Sequence, residues 1–146
     1  MASIETQLML QADEGEVVEF LDEHGGLLLR EVDDPATYWV VLHPGSARTE
    51  TFYVRLGWIS YRGAPPSVRF HDGIGGSFAS PHAWPTIAGY RVGSWDICKP
   101  FTAEGYAVHP EWVGGPEGWR STGNPFLYVV QTLQFDLNNG YQGRAA

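Results

Sequence analysis

At 146 residues with 43% apolar side chains, the chain is long enough for one domain with a proper core, and 20 aromatic residues (six Trp, seven Tyr, seven Phe) supply bulk for it. A formal net charge of −8 argues against nucleic acid and against anionic membrane surfaces as partners. One cysteine cannot form an internal disulfide and points to a reducing cytoplasm; no apolar run is long enough for a transmembrane helix, and "MASIETQLML" does not read as a signal peptide.

Residues 4 to 23 read as a helix. Leu8, Leu10, Val17, Val18, Phe20 and Leu21 are its expected apolar stripe, with Asp and Glu on the other face. Gly15 marks a candidate break, and "HGG" at 24 to 26 is the expected stop. Four strands follow, over 27–32, 38–42, 49–58 and 67–70, joined by short turns such as "DDPA" and "HPGSAR". Short turns between successive strands predict an antiparallel meander.

From 71 to 121 the chain is dense in Gly, Pro and Trp and reads mostly as ordered loop, a length that usually carries function. A second helix is predicted over 124–139, capped by Asn124, with Pro125 in its first turn and Gly140 past its end. Phe126, Val129, Val130, Leu133 and Leu137 fall on one face. The tail "GYQGRAA" carries no signal and reads as flexible. The expected architecture is therefore α+β: a single domain over 1–146 with an N-terminal helix, a four-stranded antiparallel meander, a long loop and a C-terminal helix.

The long loop holds the only cysteine, Cys98, beside the only lysine, Lys99, in "YRVGSWDICKPF". From the residues alone two readings of Cys98 stand open, a nucleophile and a buried inert thiol. Lys99 is either a cation that favours the thiolate or a solvated loop charge. Metal binding is not expected, since one Cys and five scattered His give no close ligand pair. "GIGG" at 73–76 lacks the Lys-Ser/Thr of a phosphate loop, and the short meander offers no second lobe for a papain-like cleft.

The stretch "YRGAPPSVRF" at 61–70 resembles ubiquitin-conjugating enzymes, which have a Tyr, a short spacer, a Pro-Pro pair and a Val-x-Phe strand. Tyr61, Pro65, Pro66, Val68 and Phe70 match that pattern. "TFYVRLGW" resembles the family's third strand, and "VDDPATYWVVLHPG" its first hairpin, second strand and following turn. "GSWDICKP" resembles its Gly-x-Ile-Cys active-site segment, with Ile97 before Cys98. The resemblance spans roughly residues 5 to 139. The family's His-Pro-Asn is missing: "AGY" (88–90) stands there, and the 28 positions from Phe70 to Cys98 are more than the family uses. In this the chain resembles the bacterial branch of the family, which works with ubiquitin-like proteins in operons linked to phage defence.

The resemblance implies a ubiquitin-conjugating-enzyme-like fold and an acyl transfer without cofactor or metal. An activating enzyme hands the C-terminus of a ubiquitin-like protein to Cys98 as a thioester, and an amine of a target protein attacks it. A thiolate suits both steps, as nucleophile and as leaving group. His109 in "VHPEW" is the candidate for the missing Asn's work, and also reads as a surface histidine in a Pro-rich turn. His82 in "SPHAWP" is a second candidate, folded back by the expanded loop. Asp96 reads as structural and Asn124 as a helix cap. The family docks its activating enzyme through the first helix, usually by basic residues. This first helix is acidic, so it is either an ordinary solvated face or faces a basic patch on that enzyme. Eight Arg against one Lys is read as genomic composition, and it also fits a protein that avoids modifying itself. Two other readings stand beside the enzyme: a non-catalytic module of the same fold that binds a ubiquitin-like protein, and a cysteine enzyme for a small molecule, which needs a deep pocket at Cys98.

Overall fold

The computed structural model describes residues 2–146. Helix α1 (Ile4–Glu23) starts at Ser3, whose side chain accepts a hydrogen bond from the Thr6 amide at 3.1 Å. It runs unbroken through Gly15, which lies on the outer face with open space around it. Its buried stripe is Thr6, Leu10, Asp13, Val17 and Leu21. Leu8 and Val18, expected in that stripe, are instead exposed (59% and 41%). Polar Thr6 and Asp13 take core-facing places because the loop after the third strand supplies partners. The Thr6 hydroxyl accepts from the Tyr61 amide, and Asp13 accepts from the Tyr61 hydroxyl at 2.6 Å.

Strands β1 (Leu27–Arg30), β2 (Thr37–Leu42), β3 (Phe52–Gly57) and β4 (Ser67–His71) form one antiparallel sheet in the order β1-β2-β3-β4. The predicted meander is present, with β1 and β3 shorter at their ends than expected. Tyr38, Leu56 and Val68 stand in register across three strands, as do Val40, Val54 and Phe70. All six are fully buried. Helix α3 (Pro125–Asn139) closes over this face, and α1 packs on α3. Asn124 caps α3 by accepting from the Leu127 amide at 2.9 Å. Its buried apolar face holds the predicted Phe126, Val129, Val130, Leu133 and Leu137, and the Phe126 ring meets Tyr38 at 4.8 Å.

The span from 71 to 121 carries more order than expected. It contains a short hairpin, β5 (Tyr90–Arg91) and β6 (Asp96–Ile97), then helix α2 (Ala103–Val108), and single 3₁₀ turns at Pro81–Ala83 and Pro110–Trp112. Strands of two residues and a six-residue helix with an internal glycine show no periodicity to read. Trp84, Tyr90, Ile97 and Phe101 are buried, and Trp84 and Tyr90 both pack on Phe70 of β4. The C-terminal tail, expected to be flexible, is strapped to this layer. The amides of Gln142 and Ala145 donate to the carbonyls of Thr86 and Trp84, both at 2.9 Å. The Arg144 guanidinium donates to the carbonyls of His82 and Thr51.

Candidate functional site

The Cys98 segment is fixed from both sides. Before it, Ile97 is fully buried and paired with Tyr90 across the hairpin. The Cys98 amide donates to the Gly89 carbonyl at 2.8 Å. Gly89 has φ = 88°, and a Cβ there would meet Cγ and Cε of Lys99, so the turn requires glycine. After it, the buried Thr102 hydroxyl donates to the Ile97 carbonyl at 2.6 Å and accepts from the Gly105 amide at 2.9 Å. It thus caps α2 and closes the turn that carries Cys98.

Helix α2 is in turn held on the start of β4. The Ala103 amide donates to the Pro66 carbonyl at 2.8 Å, and the Glu104 carboxylate accepts from the Val68 amide and the Ser67 hydroxyl. The "PPSVRF" strand and the cysteine segment, distant in sequence, therefore form one rigid unit.

The Cys98 side chain is half-buried, and its sulfur has no hydrogen-bond partner among the described residues. Its two charged neighbours are disposed differently. Lys99 reaches away to α3, where its ammonium lies 3.1 Å from Asp136 and 5.5 Å from the centre of the Tyr90 ring. The Tyr90 hydroxyl donates to the same carboxylate at 2.8 Å. Burial first, then Asp136, pushes the Tyr90 phenol well above its ordinary pKa. Lys99 is thus neither a free loop charge nor aimed at the thiol.

Arg91 grips Asp96 with two hydrogen bonds of 2.8 and 2.7 Å across the hairpin. Its guanidinium pKa is raised, chiefly by Asp96 and in part by negative charge at Cys98. Arg91 and Asp96 are thus committed to each other across the hairpin that leads into Cys98.

The two candidate histidines stand apart from the sulfur in their contacts. His109 ends α2; its Nδ1 lies 2.9 Å from Glu111, and its ring stacks on Trp112 at 4.3 Å. The imidazole holds the Glu111 carboxyl below its ordinary pKa. His82 lies on the 3₁₀ turn near the ends of β3 and β4, beside Thr51, His71 and Arg144. Among the described residues no hydrogen bond or ring contact joins either imidazole to Cys98. Sequence reasoning passed over Arg91 and Thr102. The Thr102 cap was visible in principle as a Thr before a first-turn Glu. Arg91 gains its place only when the hairpin forms.

Two concavities of about 590 and 610 Å³ lie on either side of the 113–120 loop and share Pro116, Gly118, Trp119 and Arg120. Pro100, two residues past the thiol, lines the first, which also takes in Asn124 and Tyr128. Cys98 itself lines none of the concavities described. No group of three or more His, Cys, Asp or Glu could hold a metal among the described residues, and no helix there is long and apolar enough to cross a membrane.

No family model, no curated protein and no solved structure matches the chain.

Proposed function

We propose that the chain is a conjugating enzyme with a ubiquitin-conjugating-enzyme-like fold, which takes a ubiquitin-like protein from an activating enzyme onto Cys98 and passes it to a target amine in bacterial antiviral defence. The observation that carries the reading is the half-exposed, unpartnered Cys98 thiol, presented on a rigid turn beside Arg91 and anchored to the Pro66–Val68 strand. In the first step the Cys98 thiolate attacks the thioester carbonyl on the activating enzyme. A new carbon–sulfur bond forms, the old one breaks, and the activating enzyme's thiolate leaves. In the second step an amine attacks, an amide forms, and Cys98 leaves as thiolate.

His109 is assigned no step, because its imidazole is held by Glu111 and stacked on Trp112; His82 is assigned none, because it lines a concavity with Thr51, His71 and Arg144 that does not include Cys98.

The test is a charging reaction with ATP, an activating enzyme and a ubiquitin-like protein from the same genome, run on a non-reducing gel. A shifted band that thiol reductant removes, and that Cys98→Ala lacks, is expected. No band, with the activating enzyme itself charged, would leave the non-catalytic binding module as the better reading.

A further inference from the structure

On the sheet face turned away from the helices, Arg55 of β3 and Arg69 of β4 are direct cross-strand partners. Like charges placed opposite one another destabilise a sheet pair. Among the described residues no carboxylate lies within ion-pairing distance of either guanidinium, in a chain with 17 acidic residues and a net charge of −8. Both are partly buried, so solvent relieves the repulsion only in part.

The two side chains line a concavity of about 230 Å³ together with Ser67, His71 and Phe78. Arg69 is pre-set: its Nε–H donates to the Trp95 carbonyl at 3.1 Å and its guanidinium lies 4.7 Å from the centre of the Phe78 ring. Its terminal N–H groups are left without protein acceptors among the described residues, and the Arg55 side chain makes no hydrogen bond there. Glu104, which reaches the start of β4, is occupied by Ser67 and Val68. The buried His71 imidazole packs edge-on against Trp39 at 4.9 Å. Its Nδ1 lies 2.8 Å from the Gly76 carbonyl, which can only accept, so the proton sits on Nδ1 and Nε2 is left over.

We propose that Arg55 and Arg69 form a binding site for a phosphate group. Two planar forks lining one concavity from neighbouring strands can match the edges of a tetrahedral oxyanion, whereas a carboxylate is satisfied by one fork. Two positive charges also balance a phosphate monoester dianion, which turns the repulsive pair into a bridged one. His71 reports on occupancy. Burial foremost, opposed by the Gly76 carbonyl and by Asp72 and reinforced by Arg55 and Arg69, holds its pKa below the ordinary 6.5. A bound dianion must raise it. The concavity on the other side of His71 adds Glu50, His82 and Arg144, which a titration has to follow as well.

The experiment is an NMR titration of the whole chain with inorganic phosphate, with sodium chloride at matched ionic strength as control, following Arg side-chain and His71 resonances. Saturable shifts at Arg55, Arg69 and His71, an upward move of the His71 titration and a higher unfolding temperature are expected with phosphate alone. Arg55→Gln removes no hydrogen bond or ion pair of the side chain, so it stays folded; it should weaken phosphate binding about tenfold or more, the loss of a charge-assisted contact. Arg69→Lys keeps the charge but not the fork and should fall between. A parallel titration with a phosphoserine peptide and its unphosphorylated form separates the sources. Tighter binding of the phosphopeptide with a silent control assigns a modified protein side chain, and equal or weaker binding assigns a free or small-molecule phosphate. Shifts no different from those with chloride, or undiminished by Arg55→Gln, would overturn the proposal.

Discussion

The Thr102 hydroxyl donates to the Ile97 carbonyl at 2.6 Å, and so ties the cap of helix α2 to the residue before the cysteine. One side chain thereby sets both the start of a helix and the position of a thiol. Loss of the hydroxyl leaves the Ile97 carbonyl and the Gly105 amide without their partner in a site closed to water. Thr102→Val should therefore lower stability by about 1–2 kcal/mol in denaturant unfolding. It should also slow acyl transfer to Cys98, while Thr102→Ser, which keeps the hydroxyl, restores most of both.

Gly105 is required for a steric reason. A Cβ there would come within 3.0 Å of the Lys99 amide nitrogen and carbonyl carbon, and closer to the oxygen. These are backbone atoms of the residue after Cys98 and cannot rotate aside. Gly105→Ala should destabilise the chain although alanine is the better helix former, by about 1–3 kcal/mol on the scale of overpacked cores. Gly15→Ala is the control: nothing lies within 4 Å of its Cβ, and it should stabilise α1 by about 0.5–1 kcal/mol.

Tyr61 joins three parts of the chain. Its hydroxyl donates to Asp13 of α1 at 2.6 Å and accepts from the Phe126 amide of α3 at 3.0 Å, while Arg62 grips the same carboxylate. Tyr61→Phe strands the buried Phe126 amide and removes one of the two donors to Asp13 Oδ2, leaving Arg62 alone on it. We expect a loss of about 2–3 kcal/mol in denaturant unfolding, and a smaller loss for Arg62→Ala, whose side chain is partly exposed.

The buried tyrosines predict sensitivity to alkali. Burial, foremost, raises the pKa values of Tyr38, Tyr61 and Tyr90 above the ordinary 10.0, and the carboxylates of Glu14, Asp13 and Asp136 add to it. Each phenol holds its proton longer when folded than when unfolded. Above pH 10 the unfolded chain therefore carries fewer protons, and stability falls as pH rises. The contribution is complete below pH 10. Denaturant midpoints from pH 8 to 11 should decline steeply in the upper part of that range, and less so in Tyr61→Phe measured against its own pH 8 value.

How much of this was legible in the sequence depended on how local the signal was. Both long helices could be bounded because Asn124, Pro125 and the glycines after each helix act within one turn of chain. The sheet could be read because β3 alternates over six residues and short turns separate the successive strands. The error at Leu8 and Val18 has a definite cause. Apolar residues were assigned inward by type, whereas Asp13 and Thr6 win the inner face through Tyr61, 48 and 55 residues away. The strapped tail was invisible for a similar reason, since its bonds run to Thr86 and Trp84 through the main chain. Cys98 was singled out through its resemblance in register with "PPSVRF". Arg91 was passed over, because only the closing of the β5–β6 hairpin pairs it with Asp96.

The most direct measurement is intact-mass spectrometry, under denaturing non-reducing conditions, of the chain incubated with ATP, a charged activating enzyme and its ubiquitin-like protein. We predict an adduct equal to the ubiquitin-like protein less one water, mapped to Cys98, removed by thiol reductant and missing in Cys98→Ala. An unmodified chain beside a fully charged activating enzyme, or an adduct that survives in Cys98→Ala, would contradict the assignment of Cys98 as the acyl acceptor.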